Sequence, residues 1–166
     1  PAVVASFTVI GDGCSPLTVN PVNNSSGADS YLWDMGDGNI LAGATPTHTY
    51  VNTTAADQIR TITLTATSPW GCVSVFTQAV TIHPVPSAAF QATPFGQQFP
   101  NATVTLNNTS APGNWTYAWG FGDAQSSTLQ QPGTHTYATW GSYTITLVVT
   151  GNGCSDVASQ VVTIDP

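Results

Sequence analysis

The sequence contains 166 residues, and its single arginine and eight acidic residues, all of them aspartate, give a formal net charge of −7 at pH 7. An acidic surface without a basic patch repels phosphate groups, so nucleic acids and anionic membrane surfaces are poor partners for this chain. No apolar run approaches the roughly 18–20 residues of a membrane-spanning helix, so we also expect no membrane insertion.

The first half of the chain predicts six β-strands and no helix. Short runs rich in Val, Ile, Thr and aromatic residues are separated by clusters of Gly, Pro, Asn and Asp, which is typical of strands and turns. Ile62, Leu64 and Ala66 alternate with threonines, which predicts a strand with one buried and one solvated face. The predicted strands cover residues 3–10, 17–22, 30–35, 47–51, 59–67 and 73–82.

The second half repeats this pattern after a short proline-rich segment. The predicted strands cover residues 88–93, 103–107, 116–121, 134–138, 142–150 and 156–164. The linker, residues 84–86, reads Pro-Val-Pro, which favours extended backbone and a semi-rigid joint. We therefore predict two domains, residues 1–83 and 87–166, in an extended arrangement.

An internal repeat relates the two halves. The segment Tyr-Leu-Trp-Asp-Met-Gly-Asp-Gly-Asn at residues 31–39 returns as Tyr-Ala-Trp-Gly-Phe-Gly-Asp-Ala-Gln at residues 117–125. In both copies alternate residues are large and apolar, which predicts a strand with one buried face, and Gly-Asp then predicts a sharp turn. His-Thr-Tyr recurs at residues 48–50 and 135–137, and the closing prolines Pro84 and Pro166 give a period of 166 − 84 = 82 residues.

A period of this length fits a small self-contained domain rather than one unit of a solenoid. Short strands with frequent turn signals and a buried tryptophan on a central strand favour antiparallel sandwiches. The predicted fold class is therefore all-β, with two immunoglobulin-like β-sandwich domains in tandem.

These motifs together resemble the PKD domain. Both copies carry Tyr-x-Trp-x-x-Gly-Asp and His-Thr-Tyr, and the second also carries Gly-x-Tyr-Thr-Ile-Thr-Leu at residues 141–147. The second copy departs from the pattern at Gly120 and Ala124, so we expect its turn to be braced differently. The resemblance implies an extracellular β-sandwich used in adhesins, surface-layer proteins and secreted hydrolases. Gly-Cys before the last strand is similar to repeats in large secreted proteins of the Bacteroidetes, including gliding adhesins.

The three cysteines predict one disulfide. Cys14 precedes the second strand and Cys72 precedes the last, whereas the second copy keeps Cys154 but has Phe95-Gly96 in the region of Cys14. We therefore predict a Cys14–Cys72 disulfide, a lone Cys154 and an oxidising compartment. The alternative is three reduced, buried thiols.

The histidines do not form a catalytic set. His48 and His135 occupy the same repeat position, so one structural role, a hydrogen bond near the start of a strand, accounts for both. His83 lies beside the linker, and no nucleophile motif accompanies any of the three. We therefore predict no catalytic residues and no enzymatic activity.

Calcium is a weak possibility at the first turn. Asp34, Asp37 and Asn39 could offer oxygens to the ion, and some PKD domains are linked with calcium. The alternative is that both aspartates hold the turn by local hydrogen bonds. We expect no other cofactor.

Three tryptophans outside the predicted core are candidate interaction residues: Trp70, Trp115 and Trp140. We place Trp70 in the last hairpin of the first copy and Trp140 before the penultimate strand of the second, at opposite free poles, with Trp115 near the joint. These apolar ends would pack against neighbouring repeats of the same or an identical chain. The alternatives are partial burial under each domain's own loops and stacking on surface polysaccharide.

The sequence as a whole predicts a non-enzymatic, extracellular structural or adhesive repeat module. It would serve as a spacer or fibre-forming segment of a large bacterial cell-surface or secreted protein. The start at Pro1 leads us to expect a piece of something longer. The alternative function is a carbohydrate-binding accessory module of a secreted hydrolase.

Overall fold

The computed structural model describes residues 2–166, which form β-strands, turns and loops but no helix. The chain divides into two compact units, of which the first ends at Pro84 and the second is Val85–Pro166. Among the described residues no helix has the length and apolar character to cross a membrane.

Within residues 2–84 the first unit contains nine strands. They are β1 (Phe7–Thr8), β2 (Asp12–Cys14), β3 (Leu17–Val19), β4 (Val22–Asn23), β5 (Ser30–Asp34), β6 (Ile40–Ala42), β7 (His48–Tyr50), β8 (Gln58–Thr67) and β9 (Val73–His83). One sheet has the order β2-β9-β8-β5-β6, and the pairs β1-β4 and β3-β7 supply the strands of the opposing layer. The core lies between them, because the buried residues come from both sets of strands.

The second unit contains eight strands. They are β10 (Phe90–Thr93), β11 (Gly96–Gln98), β12 (Thr103–Asn108), β13 (Thr116–Gly120), β14 (Ser126–Ser127), β15 (Gly133–Thr136), β16 (Gly141–Gly151) and β17 (Cys154–Asp165). The sheet orders are β11-β17-β16-β13-β14 and β10-β12-β15. The five-stranded sheet thus has the same order as that of the first unit.

Pro21 accounts for the main difference between the two units. It lies between β3 and β4, and proline has no N–H to donate to a strand ladder. In the second unit the corresponding strand, β12, runs unbroken from Thr103 to Asn108 and pairs with both β10 and β15. The predicted strand over residues 17–22 is therefore two strands in the structure.

In each unit the N-terminal segment changes sheets. β1 pairs with β4 antiparallel, and then β2 pairs with β9 in parallel, so that Cys14 lies opposite His83. In the second unit β10 pairs with β12 and β11 pairs in parallel with β17, so that Gln98 lies opposite Asp165. Gln98 is thus the positional counterpart of Cys14.

The predicted alternation along β8 is confirmed. Ile62, Leu64 and Ala66 are fully buried, and burial of such aliphatic side chains stabilises the fold by about 1.5–3 kcal/mol each for Ile and Leu. Its counterpart β16 buries Ile145 and Leu147 in the same way. Phe7 packs edge-on against Trp33 with ring centroids 5.0 Å apart, and Phe90 meets Trp119 in the same way at 5.1 Å.

Candidate functional site

The polar residues singled out by the repeat lie at the turn after β5, between Met35 and Asn39, which we call the corner. Gly36 has a φ of +74°, and a Cβ at this position would lie 2.5 Å from the carbonyl oxygen of Thr61. A side chain here would combine left-handed strain with a clash against β8. The corner therefore requires glycine at this position.

Asp37 is the centre of the corner. Its Oδ1 accepts hydrogen bonds from the backbone N of Asn39 at 3.1 Å and from Asn39 Nδ2 at 3.0 Å, and its Oδ2 lies 2.7 Å from His48 Nε2. Burial raises the pKa of Asp37, but the hydrogen bonds from Asn39 and His48 outweigh that effect and hold the pKa below its usual value. The aspartate thus joins the turn after β5 to the start of β7.

The second unit builds an equivalent corner around Asp123. Asp123 accepts from the backbone N of Gln125 at 3.1 Å and lies 2.8 Å from His135 Nε2. Burial raises its pKa, and the hydrogen bond with His135 leads the effects that lower it overall. Where Gly38 has a φ of +93°, Ala124 is held at +69°. The expected difference in bracing thus includes this strained alanine and Gly120, which replaces Asp34.

A buried tyrosine completes each corner from below. Tyr50 donates its hydroxyl hydrogen to the carbonyl oxygen of Met35 at 2.7 Å, and Tyr137 donates to that of Phe121 at 2.9 Å. Burial, with the charge of the nearby aspartate adding to it, raises the pKa of each phenol to about 12. The recurring His-Thr-Tyr motif is thus a support for the corner, which confirms the shared structural role predicted for His48 and His135.

The weak calcium candidates are engaged with the corner itself. Asp34 Oδ1 accepts a hydrogen bond from the backbone N of Gly36 at 2.8 Å, while Asn39 turns its amide nitrogen toward Asp37. Within residues 2–166 no group of three or more His, Cys, Asp or Glu side chains has an arrangement suited to a metal ion. These contacts are those that the local hydrogen-bonding alternative predicts.

The predicted Cys14–Cys72 disulfide is wrong. Cys72 is a free, exposed thiol, whereas Cys14 and Cys154 are disulfide-bonded. Cys14 lies opposite His83, the last residue of β9, and Cys72 directly precedes Val73, the first. The 11 residues of β9 separate these two positions by about 33 Å, far beyond the 7 Å limit for bridged Cα atoms.

The three candidate tryptophans have different environments. Trp70 lies in the turn between β8 and β9 with 75% of its surface exposed, and Trp140 directly precedes β16 with 64% exposed. Trp115 is instead partly buried, packs against the core of its own unit and donates its indole N–H to the carbonyl oxygen of Ala111 at 3.0 Å. Partial burial under the domain's own loops therefore describes Trp115.

Sequence reasoning missed a charged cluster at the end of β9. His83 Nδ1 lies 2.9 Å from Asp57 Oδ1, and His83 Nε2 lies 3.5 Å from Asp12 Oδ2. The hydrogen bond with Asp57 is the main cause that raises the pKa of His83. No local pattern in the sequence indicates this cluster, because its members come from three separate segments.

A groove in the first unit was also missed. It has a volume of about 430 Å³ and lies beside the break between β3 and β4. Pro21, Val22, Tyr31 and Pro46 line the groove, and so do Asn20 and Asn23. The local signal for it is Pro21, which interrupts the predicted strand over residues 17–22.

Comparisons with known proteins agree with the sandwich architecture. The chain is 28% identical to human polycystin-1 over 144 residues, which is 81% of this chain but 3% of polycystin-1. It is 30% identical to the PKD1 domain from the Vibrio cholerae metalloprotease PrtV, covering 50% of this chain and 99% of that one with a TM-score of 0.41. Extracellular domains 3–5 of Drosophila OTK are 12% identical and cover 98% of this chain and 62% of theirs, with a TM-score of 0.56 that supports the fold alone.

The family assignment comes from the sequence of the second unit with the end of β9. The PKD domain family model matches residues 81–165, which is more than half of the 166 residues. PKD domains are non-catalytic modules. The chain belongs to the PKD domain family.

Proposed function

We propose that this chain is a non-enzymatic structural or adhesive repeat of a large extracellular protein, in which each unit is one PKD copy. The observation that carries the proposal is the use of the chemistry-bearing side chains at the corners. In both units the repeated aspartate is hydrogen-bonded to the repeated histidine, and the repeated tyrosine donates a hydrogen bond to the backbone of the turn. Such bonds stabilise each unit, and repetition of the unit sets the length of the protein.

The cysteine chemistry and the family both support the extracellular location that we propose. Cys14 and Cys154 are disulfide-bonded, and disulfides persist in oxidising compartments. The surface carries a net negative charge and almost no basic groups, so the partners we propose are other repeats or neutral polysaccharide rather than nucleic acid. Because Gly-Cys before the last strand resembles repeats of the Bacteroidetes, the parent proteins that we propose include gliding and attachment adhesins.

Mechanical extension of single molecules tests this function. In reducing buffer, which breaks disulfide bonding, we expect two separate unfolding events, one for each unit. Each event should release about 80 residues, or roughly 29 nm of contour length. A single event for the whole chain, or extension without any force peak, would contradict a load-bearing repeat.

A second candidate function is carbohydrate binding beside a secreted hydrolase. The groove next to Pro21 favours it, because an aromatic ring, two proline rings and two amide side chains suit a neutral sugar that has one apolar face. A glycan array tests this candidate with the wild-type chain, Tyr31→Ala and the exposed Trp70→Ala. Binding that is lost in either variant would favour the accessory-module function, and an array without signal would count against it.

A further inference from the structure

Cys72 and Cys154 are the same position in the two units. Each follows a glycine in the left-handed region, Gly71 at a φ of +81° and Gly153 at +79°, and each lies where the hairpin enters the last long strand. Their chemical states nevertheless differ. Cys154 is disulfide-bonded and 2% exposed, whereas Cys72 is free and exposed.

The two disulfide-bonded cysteines of the chain lie at different positions of the repeat. Cys154 is at the hairpin position, and Cys14 is at the end of the short strand that pairs in parallel with the last strand. Within one unit these positions lie at opposite ends of β9, so Cys72 cannot bond to Cys14 of its own unit. A disulfide at Cys72 must therefore use a sulfur from another unit.

The surroundings of Cys72 suit such a contact. The turn from Ser68 to Cys72 contains no charged residue, and Trp70 and Val73 on either side of the thiol are 75% and 58% exposed. The end of the unit that carries Cys14 also carries Asp12 and Asp57. The neutral apolar turn carries no charged group that would repel these carboxylates.

We propose that Cys72 is a covalent docking position for another copy of this repeat, whose cysteine at the place of Cys14 forms the disulfide. This inference rests on the proposed function and names its partner. The two thiols lose two protons and two electrons as the S–S bond forms, and a low-molecular-weight disulfide such as oxidised glutathione accepts the electrons and is cleaved to two thiols.

Disulfide formation between separate chains tests the inference. The wild-type chain supplies Cys72, and a ¹⁵N-labelled Cys72→Ser/Cys154→Ser variant supplies Cys14 as its single cysteine. The matched control is a labelled Cys14→Ser/Cys72→Ser variant, which retains Cys154 instead. The Cys14→Ser/Cys154→Ser variant is a second source of Cys72, and it excludes exchange through the wild-type disulfide because it has no other cysteine. Circular dichroism verifies that every variant is folded.

After incubation in a glutathione redox buffer, peptide mapping identifies the bonds formed. We expect Cys72–Cys14 links in roughly fivefold excess over Cys72–Cys72 links and over links to the control chain. Trp70→Ala in the chain that supplies Cys72 should lower the yield of Cys72–Cys14 links by a similar factor. Trp140→Ala in the same chain should leave that yield unchanged. Links in statistical proportions, a preference for Cys72–Cys72, or glutathione adducts alone would overturn the inference. Any of these results together with two mechanical unfolding events would leave the proposed function standing.

Discussion

At the scale of single residues, the two corners differ in the residue that follows the central aspartate. Gly38 and Ala124 both follow the central aspartate and both have positive φ, but only alanine carries a Cβ. A left-handed conformation costs a non-glycine residue about 1–2 kcal/mol. Glycine avoids this cost but has more conformational freedom to lose on folding, which offsets part of the difference. The second corner therefore tolerates a strain that the first avoids.

Replacement of Ala124 by glycine should stabilise the second unit by about 0.5–1 kcal/mol because it relieves this strain. The matched control is Gly38→Ala, since a Cβ at Gly38 would meet nothing within 4 Å and only the conformational cost remains. That variant should destabilise the first unit by a similar amount. Urea unfolding of both variants measures the two effects, and a destabilised Ala124→Gly chain would contradict the account.

Asp37 predicts how stability depends on pH. Its folded pKa lies below the ordinary value of 3.8, so its contribution is fully present above that value and is lost as pH falls through the folded pKa. Asp37→Asn should lower the free energy of unfolding by about 1–2 kcal/mol at pH 7. The variant should also lose less stability than the wild type between pH 7 and pH 3.

Urea unfolding at the two pH values measures this dependence, and Asp29→Asn at an exposed position serves as the control. The control should keep the acid sensitivity of the wild-type chain. Equal acid sensitivity in Asp37→Asn and the wild type would show that another carboxylate carries the effect.

At the scale of secondary structure, periodicity predicted the strands that bury one face. β5, β8, β9 and their counterparts were found because large apolar residues alternate along them. The short edge strands β2, β6, β11 and β14 were missed. Segments such as Asp12–Cys14 and Gly96–Gln98 carry no apolar period, and their strand state comes only from a neighbour that lies far away in sequence.

The predicted first strand, residues 3–10, shows the same limit. Only Phe7–Thr8 forms a strand there, with a single bridge from Val4 to Ser26, because the segment leaves one sheet before it enters the other. The corner was predictable, since Gly-Asp after a buried strand has a local meaning. The cysteine pairing was not, because no local pattern in the sequence shows that Cys14 and Cys72 lie at opposite ends of β9.

At the scale of the whole chain, we propose that each compact unit is a self-supporting sandwich with its own corner. The tyrosines test this claim, because Tyr50 and Tyr137 make equivalent buried hydrogen bonds to Met35 and Phe121. Loss of such a bond leaves a carbonyl unsatisfied at a cost of about 1–3 kcal/mol.

Hydrogen exchange with mass spectrometry on Tyr50→Phe and Tyr137→Phe is the most direct measurement. We predict that Tyr50→Phe accelerates amide exchange only in the unit that ends at Pro84, and that Tyr137→Phe does so only in Val85–Pro166. Accelerated exchange throughout the chain from either substitution would contradict the claim, because it would show a single cooperative core.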